Sequence, residues 1–124
     1  MTKHQQVELL EDLPPGTYQA AIMTVPEVEE FGKESWEYFR AEFQITSGEH
    51  EGQAVIYSAP FKEKVTKKSR LGQLIRSILP EHAPGKVQFQ EMLQKPCEIN
   101  CKDDDEGFLK ITNVRLLGTD EKPF

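Results

Sequence analysis

The side chains with chemistry to offer stand in two groups. Trp36, Tyr38 and Arg40 fall on every second position of Trp36-Glu37-Tyr38-Phe39-Arg40-Ala41-Glu42-Phe43-Gln44-Ile45. A strand sends alternate side chains to opposite faces, so these three share a face with Glu42 and Gln44. Exposed aromatic rings stack on flat, π-faced ligands, worth ~1–3 kcal/mol per base when the ligand is a nucleobase. An arginine beside them adds cation–π and phosphate contacts. The second group is a run of cations: Lys62, Lys64, Lys67, Lys68 and Arg70. Such a run neutralises phosphates along a backbone without reading sequence. Tyr57 and Phe61 immediately precede it and offer two further rings. Each group also has a plainer use. Aromatics pair across neighbouring strands, and a lysine run commonly forms a solvated loop.

The elements that must position these groups follow from periodicity. Phe39, Ala41, Phe43 and Ile45 form the apolar side of the Trp36–Ile45 strand and require a core. Before it, Pro14-Pro15-Gly16 sets a turn. Thr17–Val25 is a first strand, with Tyr18, Ala20 and Ile22 on one side, and 26–35 is an acidic connection. Gln53–Phe61 is a third strand whose register is ambiguous, so Tyr57 points either in or out. After the lysine loop, Leu71, Leu74, Ile75, Ile78 and Leu79 fall at i, i+3, i+4, i+7 and i+8, the stripe of an amphipathic helix. Thr66 or Ser69 caps it, Pro80 stops it, and Arg70, Gln73 and Arg76 lie on its wet side. Val87–Leu93 is a short second helix. Pro96–Lys102 and Phe108–Leu117 are the last two strands, joined by a hairpin-type turn at 103–107. The order β-β-β-α-β-β predicts an all-β protein, a five-stranded OB-like Greek-key barrel with one helix between strands 3 and 4, the alternative being a small sandwich or an unrelated α+β roll. In that fold the second and third strands form the binding face, which carries Trp36, Tyr38 and Arg40.

Composition narrows the class. The 124 residues make one domain, read as 1–117 with a C-terminal acidic tail at 118–124. No apolar run reaches membrane-spanning length, and the opening residues 1–12 are polar, so the expected compartment is the cytoplasm. A chain of net charge -6 is an unusual partner for nucleic acid, but the charge is unevenly spread. Residues 1–61 carry net -8, residues 62–76 net +5, and residues 77–124 net -3. Cys97 and Cys101 sit four apart in a strand, ~13 Å by the rise of an extended chain. That exceeds the ~7 Å reach of a disulfide, so both are expected as small buried residues. His4, His50 and His82 are too scattered for a zinc site. The Asp103-Asp104-Asp105-Glu106 run lacks the spacing of a calcium loop, reads as a solvated turn, and counts against nucleic acid nearby. No phosphate-binding glycine loop, nucleophile elbow or His–carboxylate dyad appears. The reading is a binding protein and not an enzyme, with no cofactor and no metal.

The chain's end, Thr119-Asp120-Glu121-Lys122-Pro123-Phe124, resembles the acidic Pro-Phe tip of bacterial and phage single-stranded DNA-binding proteins. The resemblance implies that Asp120, Glu121, Pro123 and Phe124 recruit replication or repair enzymes. Lys122 and the near absence of a linker depart from the pattern. Leu13-Pro14-Pro15-Gly16-Thr17-Tyr18, Phe39–Ile45 and Gly48–Gly52 are similar to the opening half of small phage-encoded OB-type single-strand binders from replication or recombination modules. Taken together, the residues and the resemblance lead to an expectation of sequence-independent single-stranded DNA binding. Trp36, Tyr38, Tyr57 and Phe61 would stack bases, and Arg40, Lys62, Lys64, Lys67, Lys68 and Arg70 would meet phosphates. Family members often self-associate, which leaves a homodimer open. The alternative is an acidic protein-interaction module, an adaptor or DNA-mimic inhibitor that binds no nucleic acid.

Overall fold

The computed structural model describes residues 13–32 and 36–117. The tip residues Asp120, Glu121, Pro123 and Phe124 lie outside the described residues. Within them the chain forms an antiparallel sheet of six strands and one α-helix: β1 (Gly16–Ile22), β2 (Glu27–Phe31), β3 (Trp36–Ile45), β4 (Ala54–Pro60), α1 (Arg70–Ile78), β5 (Cys97–Asp103) and β6 (Leu109–Leu116). No helix among them is long and apolar enough to cross a membrane. The sheet order is β2-β3-β1-β5-β6, with β4 also paired to β3. The all-β expectation stands. The count of five strands does not, because the acidic stretch expected as a connection forms β2.

The registers explain why that strand was hidden. Ile22 of β1 pairs with Phe43, and Glu27 of β2 pairs with Arg40, on the same side of β3. Residues 23–26 therefore bulge against Ala41 and Glu42, and β1–β2 runs along β3 as one bent strand. Met23 and Val25 are pushed outward by the bend, while Pro26 is buried. Bulges of this kind let a strand turn a corner and serve two neighbours. Here β1 pairs with both β3 and β5.

The core lies inside the curved sheet. Phe39, Ala41, Phe43 and Ile45 of β3 are all buried, as their alternation requires. Ile99 between Cys97 and Cys101 is buried, and both thiols are free. Strand β6 breaks its own alternation. Asn100 pairs with Asn113, but Cys101 pairs with Ile111, so Thr112 is an extra residue in the ladder. Its hydroxyl donates to the Asn100 carbonyl. The bulge lets both Ile111 and Val114 face inward, although they fall on opposite sides of the sequence pattern.

Helix α1 packs against β4 and β6. Leu71, Leu74 and Ile78 are buried. The Ser69 side chain caps the helix by accepting from the Gly72 N–H at 2.9 Å, and its own hydroxyl donates to the Thr66 carbonyl. Gly72 is required by contact. A Cβ there would sit 1.9 Å from the Thr66 carbonyl oxygen. The expected second helix is a single 3-10 turn, Phe89–Met92. Strands β4 and β6 come close without sharing a ladder, so the sheet is not closed.

Candidate nucleic-acid interface

The outer face of β3 carries the expected trio. Trp36 is 61% exposed, and Tyr38 and Arg40 are half-buried. Residues directly opposite in an antiparallel pair share a face. Tyr38 therefore lies between Glu29 of β2 and Pro60 of β4, and Arg40 between Glu27 and Ser58. The Arg40 Nε is 4.0 Å from the Glu29 carboxylate. The face thus mixes rings and a guanidinium with Glu27, Glu29 and Glu42.

The lysine loop leaves from the same end. The Phe61 N–H donates to the Glu37 carbonyl at 3.0 Å, extending the β3–β4 ladder one residue past Pro60. This bond brings Phe61 and Lys62 to the start of β3, where Trp36 and Tyr38 stand. Lys62, Lys64, Lys67 and Lys68 are all exposed. The far end of the loop is fixed to α1 by the Ser69–Thr66 hydrogen bond and by the close approach at Gly72. Phe61 is half-buried and packs against the core.

Two expected site residues serve the fold. Tyr57 faces inward at 6% exposure, in edge contact with Phe39 and Phe43, so its ring is not presented to a base. Its register is set by Ala41, which lies opposite it on β3. The Tyr57 hydroxyl donates to the Arg70 carbonyl at 3.1 Å. Burial raises the Tyr57 pKa above its usual value, against the opposing pull of the Arg70 charge. Arg70 is exposed as a residue, yet its guanidinium bridges the open seam. Nε donates to the Ser58 carbonyl of β4 at 3.1 Å, and Nη2 donates to the Ile111 carbonyl of β6 at 3.2 Å.

The acidic turn is ordered by one of its members. The Asp104 carboxylate accepts from the N–H groups of Phe108 and Glu106, both at 2.9 Å, and lies 3.5 Å from Lys110 Nζ. Gly107 supplies the left-handed residue, φ 87°, that such a turn needs. The Phe108 N–H is the main reason the Asp104 pKa falls below its ordinary value. Partial desolvation opposes it, and the Glu106 N–H and Lys110 assist. Among the described residues, no three His, Cys, Asp or Glu side chains group as a metal site. Cys97 and Cys101 are pushed up to about 11 by burial, which makes them unreactive thiols.

One feature went unread in the sequence. A groove of about 950 Å³ lies between the lysine loop, α1 and residues 85–90. Phe61, Val65, Ile75 and Phe89 line it, with Lys62 and Lys64 among its cations. The available signal was the interleaving of Phe61 and Val65 with the lysines, since a purely solvated loop has no use for apolar residues. Compared with known proteins, the chain matches no family model and no curated protein sequence.

Proposed function

We propose that this chain is an OB-type protein that binds single-stranded DNA with little sequence preference. The bent β1–β2 strand, the three-strand run into a helix and the final β5–β6 hairpin support the OB reading, with the β4–β6 seam stitched by Arg70 where a ladder would close a barrel. The observation that carries the functional reading is the Phe61–Glu37 hydrogen bond. It joins the exposed Trp36 end of β3 to the root of the lysine loop, which would let stacking and phosphate contact follow one path. Trp36 and Tyr38 supply the stacking, Lys62, Lys64, Lys67 and Lys68 the charge, with Arg40 at the margin. The acidic tip and a role in phage replication or recombination rest on the sequence resemblance.

A second reading has its own observation. Glu27 and Glu29 share the face of Arg40 and Tyr38, and carboxylates there suit a protein partner better than a phosphate backbone. Anisotropy with labelled oligo-dT, at low and moderate salt, separates the two. Under the first reading Trp36 emission is quenched, binding weakens with salt, and Trp36→Ala costs about tenfold or more in affinity. No binding at low salt, where charge attraction is strongest, would leave the protein-interaction module.

A further inference from the structure

The groove beside the lysine loop has a chemistry distinct from that of the Trp36 face. Its floor is apolar: Phe61 and Val65 from the loop, Leu71 and Ile75 from α1, and Val87 and Phe89 from the far wall. Val65, Ile75 and Phe89 rest on the main core, so the floor is firmly backed. Three lysines, Lys62, Lys64 and Lys86, stand on its rim against one acid, Glu63. The volume of about 950 Å³ is at the top of the range for ligand clefts, ~300–1,000 Å³, enough for several large side chains at once.

We infer that this groove docks an acidic, amphipathic peptide segment of a partner protein. Charge complementarity selects the sign. The rim is locally basic on a chain of net charge -6, so an anionic segment meets complementary charge here. The floor selects the anchor. A nucleobase pressed onto Val65, Leu71 and Ile75 would leave its polar edge atoms unpaired, which is unfavourable for each group. Leucine or phenylalanine side chains spaced along one helix face meet the floor without that penalty, and glutamates on the helix flanks meet the lysines. The groove shares Lys62 and Lys64 with the proposed DNA strip, and Lys86 with the Val65, Leu71 and Ile75 floor is what sets it apart.

The test uses the full chain and a fluorescein-labelled synthetic helix, with leucines at i, i+3, i+4 and i+7 and glutamates elsewhere. A second peptide replaces every glutamate by lysine. The acidic peptide binds, the basic one does not, and Lys86→Glu and Val65→Asp each weaken the acidic peptide about tenfold. Oligo-dT affinity is unchanged in Lys86→Glu, which separates this site from the Trp36 strip even if the strip binds no DNA. Lys86 is exposed, so its variant stays informative if Val65→Asp fails to fold. Absence of acidic-peptide binding at low salt, or equal binding to Lys86→Glu, overturns the inference. So does displacement of the peptide by oligo-dT together with loss of oligo-dT affinity in Val65→Asp, which would make the groove part of the nucleic-acid track.

Discussion

Tyr57 and Arg70 hold each other twice. The Tyr57 hydroxyl donates to the Arg70 main-chain carbonyl, and the Arg70 guanidinium lies 4.8 Å from the centre of the Tyr57 ring. The second contact steers the guanidinium to the Ser58 and Ile111 carbonyls. A side chain drawn from a basic run thus becomes a stitch between two strands. Arg70→Lys keeps the charge but loses the planar fork that reaches both carbonyls. It should lower stability by about 1–3 kcal/mol, read as a shift of the urea midpoint. Unchanged stability with weakened oligo-dT binding would return Arg70 to the phosphate-contacting set.

Gly72→Ala should be more costly than an exchange at an ordinary helix position. The added methyl meets main-chain atoms of Thr66, which cannot rotate away. The loop must lift from α1 and break the Ser69 cap, worth ~1 kcal/mol by itself, with ~1–3 kcal/mol more for overpacking. Thermal unfolding measures the total. A fall smaller than the cap's own worth would mean the loop yields without strain.

Alkaline pH should weaken the fold from about pH 9. Cys97 and Cys101 start from an ordinary value of 9.0 and are held up to about 11 in the folded state. Between those values the folded chain holds more protons than the unfolded chain, so stability falls as pH rises. Below pH 9 both states are protonated and the thiols contribute no slope. Urea midpoints from pH 8 to 11 test this. The Cys97→Ala, Cys101→Ala double variant should show a flatter profile, and an unchanged slope would assign the alkaline loss to other groups.

Glu29→Gln should strengthen oligo-dT binding by a few-fold at low salt. It removes a carboxylate from the Tyr38 face and releases Arg40 from its 4.0 Å neighbour. Stability should hardly change, since exposed ion pairs are worth ~0–1 kcal/mol. Weaker or unaltered DNA binding would argue that strands do not cross this face.

Neutralising loop lysines one at a time gives a charge count. Each of Lys62, Lys64, Lys67 and Lys68 that meets a phosphate should, when changed to Gln, reduce the salt slope by ~0.7. A slope indifferent to all four would place the loop away from the backbone.

What the sequence made legible was what local periodicity encodes. Phe39, Ala41, Phe43 and Ile45 announced a buried face, and Leu71, Leu74 and Ile78 announced a helix whose cap at Ser69 was in view. Strand β2 was concealed by its glutamates, because Glu27 and Glu29 share a wet face and leave little alternation to see. Strand β6 offers no single inner face to read, because Thr112 bulges and switches which residues point inward. At the candidate site, the outward placement of Trp36 and the exposure of the four lysines were foreseeable. The fates of Tyr57 and Arg70 were not, since each is decided by carbonyls and rings distant in sequence. The groove is assembled from four separated segments, and no single stretch of sequence announces it.

The Arg70 stitch also bears on the order in which the chain assembles. Arg70 lies 12 residues from Ser58 but 41 from Ile111. The nearer contact closes a short loop, and α1 begins with a cap made within the same few residues. The farther contact must await the return of β6 across a long stretch, with the larger entropy of closing that loop. The nearer carbonyl is thus reached at a lower entropic cost than the second. Brief openings of the folded protein are expected to start by parting β6 from α1 and β4, with the β1–β3–β4 half still intact.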